Sequence, residues 1–495
     1  MNLSPARKFV LAFVFGLIAV FGFAPFSLFP LPILALSMLF WLWLKATSTR
    51  QSVWLGFVFG MGLFCGGVGW IYVALHDYGD MNFILALLGT VLFCAVNATL
   101  PALAGYVQAK MRAPIWARMA LLMPASWVLM EWLRGLLFTG FPWLAVGYSQ
   151  VPISPLAAYA PVFGVFGVSL IVAISAGLLL LLHQARWSAP GKAALVTLLL
   201  LWLGGAFLHT AQWTQTEGEP IKVALLQGNI PQELKFREDK LVNTLETYRR
   251  LIEGSDARLI VLPETAFPVL SSELPPTYVT LLRDHARKNG GDLLIGTFER
   301  EQGRYFNSVM SLGAADSQSY RKNHLVPFGE FIPLRPLLGW LINSVLNIPM
   351  SDMARGGERQ ALLRVAGQRV AIAICYEDVF GEELIRYLPE ASLLVNVSND
   401  AWYGRSHAAM QHNQIAQMRA LESGRMMLRA TNTGVTSIIG RDGVVMSMLP
   451  QHEEGVLSGQ VQGYTGSTPY ARWGNAAVLS LLAMMLAAAW GLRKK

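Results

Sequence analysis

The chain contains 495 residues, of which 54% are hydrophobic and only 14% are charged, and its formal net charge is +8. Soluble domains average roughly 25% charged residues, so this composition excludes a chain that is water-soluble along its whole length. The basic residues fall in short turns between apolar runs and at the C-terminus, which is typical of membrane topology signals and of contacts with anionic lipids. We therefore expect the bilayer, and no nucleic acid, as a partner.

Apolar segments fill the first 213 residues and return near the C-terminus. The first run follows Arg7 and Lys8 without a convincing cleavage site, so we interpret it as a retained membrane helix. A transmembrane helix needs about 20 mostly apolar residues. We predict eight spans on this basis, at 9–25, 31–45, 53–75, 83–108, 117–138, 160–182, 194–212 and 475–491.

The loops between the predicted spans alternate in charge. The loop 76–80 contains no lysine or arginine, whereas the basic residues all fall on the other side: Arg7, Lys8, Lys45, Arg50, Lys110, Arg112, Arg186, Lys192, Arg493, Lys494 and Lys495. Because basic loops stay in the cytoplasm, both termini are predicted to be cytoplasmic. An odd number of spans then places the polar region in the periplasm, outside the inner membrane of a Gram-negative bacterium.

The sequence thus predicts a transmembrane domain of seven spans at 1–213, a periplasmic domain at 214–470 and a C-terminal transmembrane helix at 471–495. Within the periplasmic domain, short β-branched runs alternate with segments of helical period, which predicts an α/β fold with mixed sheets. Strands are expected at 221–226, 258–262, 292–298, 306–312, 369–374, 393–397 and 434–439. Amphipathic helices are expected at 238–253, 278–289 and 412–426.

Three places in the polar region carry side chains suited to covalent catalysis. Glu264 follows a buried strand, where a carboxylate at the rim of a sheet suits a general base. Lys322 lies in a stretch rich in Lys, His and Glu, and Cys375 marks the abrupt end of an apolar strand. Taken singly, the glutamate and the lysine also fit exposed surface positions. Taken together, the three form a set of general base, oxyanion stabiliser and nucleophile.

The remaining cysteines and histidines give weaker signals. Cys65 and Cys94 lie in apolar runs and fit small buried hydrophobic residues, which leaves Cys375 without a disulfide partner in the polar region. His407 and His412 have no third ligand at a suitable spacing. We predict neither a metal site nor a cofactor.

Six motifs, in order along the chain, resemble those of the nitrilase superfamily and, within it, the apolipoprotein N-acyltransferase family. They are Gln227–Gln232, Pro263–Thr265, Lys322–Phe331, Cys375–Glu377, Asn396–Trp402 and Arg429–Gly434.

The resemblance implies an α-β-β-α sandwich for the extramembrane domain and a membrane-embedded acyltransferase. Such an enzyme moves an acyl chain from a phospholipid, chiefly phosphatidylethanolamine, to the amino group of the N-terminal diacylglyceryl-cysteine of an apolipoprotein. The resemblance also implies that Glu264 is the base, that Cys375 carries the acyl group as a thioester in a ping-pong scheme, and that Lys322 stabilises the oxyanion. We expect the enzyme to act as a monomer.

Supporting roles follow from the same motifs. The resemblance implies that Glu330, Tyr376, Glu377 and Asn399 order the site or contact substrate. At Phe236 the sequence departs from the family, which often has tryptophan there.

The segment Leu334–Ile348 is apolar but too short to span a bilayer. One hypothesis makes it a mobile amphipathic arm, with Trp340 and Leu341 touching the outer leaflet. The alternative is a plain packed helix.

Two rival functions stay open. A membrane-tethered nitrilase or amidase would use the same Glu, Lys and Cys to hydrolyse a small nitrile or amide, with water as the second nucleophile, although seven leading spans argue against it. A transporter would capture a solute with its outer domain and carry a decayed triad, but it would need a chain of buried ionisable residues, whereas the spans offer Glu131 and Arg134. That pair fits either a structural ion pair or a headgroup or substrate contact at the outer interface.

Overall fold

The computed structural model describes residues 3–186, 188–332 and 352–493. The chain forms two compact units. The first comprises Met1–Tyr72, Phe83–Gln212 and Arg472–Lys495, and the second comprises Val73–Asn82 and Trp213–Ala471. The predicted arm at 334–348, with Trp340, lies outside the described residues.

The first unit is helical. Its helices, in chain order and including two that cross a unit boundary, are α1 (Pro5–Val20), α2 (Pro30–Leu44), α3 (Thr49–Val68), α4 (Ile71–His76), α5 (Phe83–Lys110), α6 (Ile115–Ala117), α7 (Met123–Arg134), α8 (Ala160–Ala185) and α9 (Ala189–Leu208). Near the C-terminus lie α15 (Pro469–Trp473) and α16 (Ala476–Gly491).

Each predicted span coincides with helical structure, but the helices differ in length and apolarity. Four are long and apolar enough to cross a membrane: α3, α5, α9 and α8 with the turn that precedes it. Helices α2 and α16 are apolar but shorter. Helix α1 has 16 residues, and the fifth predicted span consists of α6, a π-helical turn and α7. The count of eight spans therefore stays a prediction.

Glycines set the distance between α1 and α3. A Cβ atom on Gly16 would lie 2.2 Å from the carbonyl oxygen of Phe59, and one on Gly62 would lie 2.2 Å from that of Phe13. Small residues let helix backbones approach closely, which is how apolar helices gain packing energy where the hydrophobic effect contributes little. These two reciprocal contacts fix the pairing of α1 with α3.

Glu131 and Arg134 both bind the chain that follows α7. The Glu131 carboxylate accepts hydrogen bonds from the indole of Trp127 at 2.9 Å and from the backbone N–H of Val146 at 3.0 Å. The Arg134 guanidinium donates to the carbonyl oxygens of Phe141, at 2.7 Å, and of Trp143. Both charged groups thereby hold the irregular segment after α7 in place.

The second unit contains two six-stranded sheets. Sheet one has the order β12-β1-β2-β3-β4-β5 and sheet two the order β11-β10-β9-β8-β7-β6. The strands are β1 (Thr214–Gln227), β2 (Leu259–Val261), β3 (Asp292–Glu301), β4 (Arg304–Gly313), β5 (Ser319–Arg321), β6 (Leu363–Val365), β7 (Gln368–Ile374), β8 (Leu393–Ser398), β9 (Met427–Thr431), β10 (Ser437–Ile439), β11 (Val445–Met448) and β12 (Gly455–Gly466). The helices of this unit are α10 (Gln232–Lys235), α11 (Glu238–Glu253), α12 (Pro276–Lys288), α13 (Gly381–Leu384) and α14 (Ala408–Ser423).

The two sheets pack face to face, with helices on their outer faces. Side chains alternate along a strand, so Val223 and Val370 point into the shared core while Ala224 and Ala371 point outward. Helices α11 and α12 cover sheet one, and α14 covers sheet two. This is the four-layered α-β-β-α arrangement, with mixed parallel and antiparallel pairs in both sheets.

All seven predicted strands overlap observed ones, and the predicted helix 238–253 coincides with α11. The sequence pattern does not predict strands β5, β6, β9, β11 and β12. The last amphipathic helix is predicted to begin at His412, whereas α14 begins at Ala408.

Arg425 offers a test of the sandwich. Its guanidinium is fully buried and donates to the carbonyl oxygens of Ala391 at 2.6 Å, Pro389 at 3.0 Å and Gly466 at 2.8 Å. We expect Arg425→Met to lower the free energy of unfolding by about 3 kcal/mol, because buried carbonyl groups lose their donors. Thermal unfolding of the full chain in detergent measures this loss. The exposed Arg359→Met is the control and should change it by no more than about 0.5 kcal/mol.

Candidate active site

Strand direction brings the predicted site residues to one end of each sheet. In sheet one, β1, β2 and β3 are parallel and β5 runs in the same direction, so the residues after β2 and β5 lie at the same edge. Glu264 and Lys322 are those residues. In sheet two, β7 and β8 are parallel, and Cys375 and Asn399 follow them directly.

Glu264 is buried, and donors surround its carboxylate. One oxygen accepts from the side-chain amide of Asn307 at 2.8 Å and from the ammonium of Lys322 at 3.3 Å. The other accepts from the backbone N–H of Asn399 at 3.0 Å. Burial alone would raise the pKa of Glu264, but Lys322, Asn307 and Lys235 outweigh it and hold that pKa below its ordinary value. The residue is therefore a carboxylate at rest.

Lys322 is 1% exposed and lies between two carboxylates. Its ammonium donates to Glu264 at 3.3 Å and to Glu330 at 2.9 Å. Burial opposes the charge of Lys322, but Glu264 and Glu330 prevail and raise its pKa well above the ordinary value. An ammonium has three N–H donors, so one remains without a hydrogen-bond partner among the described residues.

Cys375 lies at the point where β7 turns into the short 3-10 helix Cys375–Val379. Its φ of +53° is in the left-handed region that non-glycine residues rarely adopt, so the chain turns sharply at this residue. The thiol is 7% exposed, and its sulfur lies 3.4 Å from the hydroxyl of Ser398. Burial and the charge of Glu264 raise the pKa of Cys375, while Lys322 opposes this increase. The resting side chain of Cys375 is therefore a neutral thiol.

Glu377 connects the Cys375 turn to the Lys322 loop. One carboxylate oxygen accepts from the backbone N–H groups of Asn323 at 2.7 Å and His324 at 3.0 Å. The other accepts from the N–H of Ile374 at 2.7 Å, and the Tyr320 hydroxyl lies 3.1 Å from both oxygens. This buried carboxylate thereby ties an element of sheet one to an element of sheet two.

The other predicted supporting residues contact different parts of the site. Glu330 shares Lys322 and Asn307 with Glu264. Tyr376 is buried beside Cys375, and its ring packs against Phe380. Asn399 donates its backbone N–H to Glu264 and its side-chain amide to Gln232 at 2.8 Å. Phe236, just after α10, is 40% exposed.

Three residues that the sequence analysis did not single out also belong to the site. Asn307 donates to both Glu264 and Glu330. The buried ammonium of Lys235 donates to the backbone carbonyl oxygen of Glu264 at 3.0 Å. Burial lowers the pKa of Lys235 to about 8, although the charges of Glu264 and Cys375 oppose that decrease. Ser398 contacts the Cys375 sulfur. Asn307 and Lys235 have no local sequence signal, because each acquires its role through contacts with distant parts of the chain. Ser398 lies within the motif Asn396–Trp402, but the motif does not indicate its contact with Cys375.

The fold and the site together define a carbon–nitrogen hydrolase domain in a chain that also carries long apolar helices. Residues 222–470 match the carbon-nitrogen hydrolase family, and residues 15–178 match the family described as apolipoprotein N-acyltransferase N-terminal domain. The chain belongs to the apolipoprotein N-acyltransferase family, and it is an acyltransferase.

Three relatives illustrate the similarity. The chain is 51% identical to the apolipoprotein N-acyltransferase of Nitrosomonas europaea, across 97% of this chain and 96% of that one. It is 42% identical to the enzymes of the same name from Methylococcus capsulatus, across 99% and 97%, and from Chromobacterium violaceum, across 98% and 95%. The resemblance predicted from six motifs is confirmed.

Glu377→Gln tests the connection between the two sheets. A carboxylate accepts on both oxygens, whereas an amide must point its NH₂ group at the backbone N–H of Ile374 or at those of Asn323 and His324. We expect a loss of about 2 kcal/mol in the free energy of unfolding and slower chemistry at Cys375. Thermal unfolding and alkylation of Cys375 measure the two effects.

The control is Glu358→Gln, because the Glu358 side chain is 79% exposed. It should change neither quantity. Equal behaviour of the two variants would contradict the role assigned to Glu377.

Proposed function

We propose that this protein transfers an acyl chain from a phospholipid to the N-terminal amino group of a diacylglyceryl-cysteine apolipoprotein, through a thioester on Cys375. The proposal is supported by the buried ion pair of Glu264 and Lys322 and by the electrostatic effect of both groups on the buried thiol of Cys375. The relatives are named for the same acceptor class. Phosphatidylethanolamine is the donor we propose.

In the first half-reaction, Glu264 takes the proton of Cys375 and the sulfur attacks the ester carbonyl of the phospholipid. The S–C bond forms, the carbonyl oxygen becomes an oxyanion, and collapse of this intermediate releases lysophospholipid, whose oxygen takes the proton from Glu264. The third N–H of Lys322 and the backbone N–H of Tyr376 are the proposed oxyanion donors.

In the second half-reaction, the apolipoprotein amine attacks the thioester and loses a proton to Glu264. The C–N bond forms, the C–S bond breaks, and the sulfur leaves as a thiolate that takes the proton back.

Glu330 and Asn307 hold Lys322 and Glu264 in place through both steps, and Glu377 and Asn399 hold the loops that carry them. We propose that Phe236 lines the entrance and that the monomer is the active form.

The membrane arrangement that we propose has eight spans, cytoplasmic termini and a periplasmic catalytic domain. In the part of the chain that the structure describes, four helices are long and apolar enough to cross a bilayer. The basic loops on one side of the predicted spans support the orientation. Phospholipid and lipidated acceptor are both confined to the membrane, which suits an acyltransferase whose catalytic domain is anchored in it.

A trapping experiment tests the thioester. Incubation of the purified protein with acyl-labelled phosphatidylethanolamine should place label on Cys375, releasable by hydroxylamine, and a diacyl lipopeptide should then receive it. Cys375→Ala should lose labelling and transfer by at least about a thousandfold, because a nucleophile acts as a unit with its base. Mass spectrometry locates the label.

The matched control is Cys65→Ala together with Cys94→Ala, which removes the other two thiols and should leave labelling intact. Label that persists in Cys375→Ala, or product released to water with no need for an amine, would contradict the proposal.

The orientation has its own test. In a chain without its native cysteines, Ser272→Cys and Thr47→Cys introduce exposed thiols into the catalytic domain and into the loop between α2 and α3. A membrane-impermeant maleimide added to cells with a permeable outer membrane should label the thiol at position 272. The thiol at position 47 should react only after lysis, because the basic loop faces the cytoplasm. The reverse pattern would overturn the orientation.

A further inference from the structure

A cluster of buried charged residues adjoins the turn at Cys375, and the proposed mechanism assigns it no role. It comprises Asp378, Asp400, His412 and Arg429, each at most 2% exposed. The imidazole of His412 lies 2.8 Å from Asp378 and 3.0 Å from Asp400. The guanidinium of Arg429 lies 3.3 Å from Asp378 and 2.8 Å from Asp400. Two carboxylates thus share two basic side chains.

The acidic and basic members of the cluster stabilise one another's charged forms. Burial and Arg429 oppose protonation of His412, but Asp378 and Asp400 outweigh them and raise its pKa. Burial opposes ionisation of Asp400, but Arg429 and His412 hold its pKa far below the ordinary value. Asp400 is therefore a carboxylate that can only accept hydrogen bonds.

Ser398 connects this cluster to the nucleophile. Its hydroxyl oxygen lies 2.9 Å from Asp400 and 3.4 Å from the sulfur of Cys375. A hydroxyl has one proton and therefore cannot donate to both groups. Because a carboxylate is a much stronger acceptor than a neutral thiol, that proton points at Asp400 in the resting enzyme.

We propose that Ser398 is a positioning residue whose hydroxyl proton moves from Asp400 to the sulfur when Cys375 becomes a thiolate. The S–H proton goes to the Glu264 carboxylate, the O–H bond of Ser398 stays intact, and only its direction changes. Asp400 keeps Arg429 and His412 as partners, and the new thiolate gains the hydroxyl of Ser398 as a donor. When the sulfur becomes a thioester, the hydroxyl returns to Asp400.

The inference rests on the proposed function only in taking Cys375 as the nucleophile. The charged and titratable groups that act on this thiol come from several elements, namely Glu264, Lys322, Lys235, Asp400 and Tyr403. Ser398 carries no charge, so its removal changes the proton affinity of the sulfur without changing the charge of the site.

Alkylation of Cys375 by iodoacetamide tests the proposal in the full-length chain in detergent. Mass spectrometry of the Cys375 peptide follows the rate from pH 7 to pH 9.5, where the rate tracks the fraction of thiolate. Ser398→Ala should slow alkylation about tenfold at every pH in that range, which corresponds to a pKa about one unit higher. Ser398→Thr should retain the rate, and Ser398→Val, which has the shape of threonine without the hydroxyl, should lose it.

Thermal unfolding of each variant shows whether it is folded, and alkylation in urea should proceed at the same rate in all variants. Slower alkylation of Cys375 in the folded protein is then separated from loss of folding. A wild-type rate in Ser398→Ala, or equal rates in Ser398→Thr and Ser398→Val, would overturn the proposal. Alkylation requires neither phospholipid nor acceptor. Failure of the proposed function, seen as no lipid label on Cys375, is therefore distinguishable from failure of this inference.

Discussion

The buried ammonium of Lys322 needs both of its carboxylate partners. A charge removed from water costs several kcal/mol unless a close partner and further hydrogen bonds compensate it. Glu264 and Glu330 supply the partners, and Asn307 ties the two carboxylates together. Because Glu264 follows β2 and Lys322 follows β5, this pairing forms only when sheet one has its native strand order. The charges of the site are therefore a consequence of the fold.

Sheet two brings the thiol to these charges. Two hydrogen-bonded links join the sheets at the site: the backbone N–H of Asn399 binds Glu264, and the carboxylate of Glu377 binds the loop after Lys322. Both links use backbone N–H groups, which fix loop position more tightly than a pair of flexible side chains would. Glu264 and Cys375 can keep their relative positions only while the two sheets stay packed, so the stability of the sandwich and the geometry of the site are coupled.

The sequence predicted those parts of the structure that have a local signal. Glu264 and Cys375 were found because an apolar strand ends abruptly at each, and α11 was found because its apolar residues repeat with helical period. Strand β12 was missed because its glycines and polar residues conceal the strand pattern, and β9 was missed because buried Arg429 interrupts it. Ser398 and Lys235 resemble ordinary polar residues in sequence, and only their tertiary contacts give them a role. The spacing of Glu131 and Arg134 suggests an ion pair or a headgroup or substrate contact, and the structure adds that each side chain also binds a segment several residues further along.

The resting state of Cys375 follows from a balance among its neighbours. Burial and Glu264 favour the neutral thiol, while Lys322 favours the thiolate. A site that keeps its sulfur protonated at rest exposes less thiolate to oxidants, because the thiolate is the reactive form. In the mechanism that we propose, the same burial keeps water away from the thioester, which would otherwise hydrolyse before an amine reached it. Under that proposal, slow formation of the thiolate and survival of the acyl-enzyme have the same physical cause. A change that opens the site to water should therefore make the thiolate easier to form and shorten the lifetime of the acyl-enzyme.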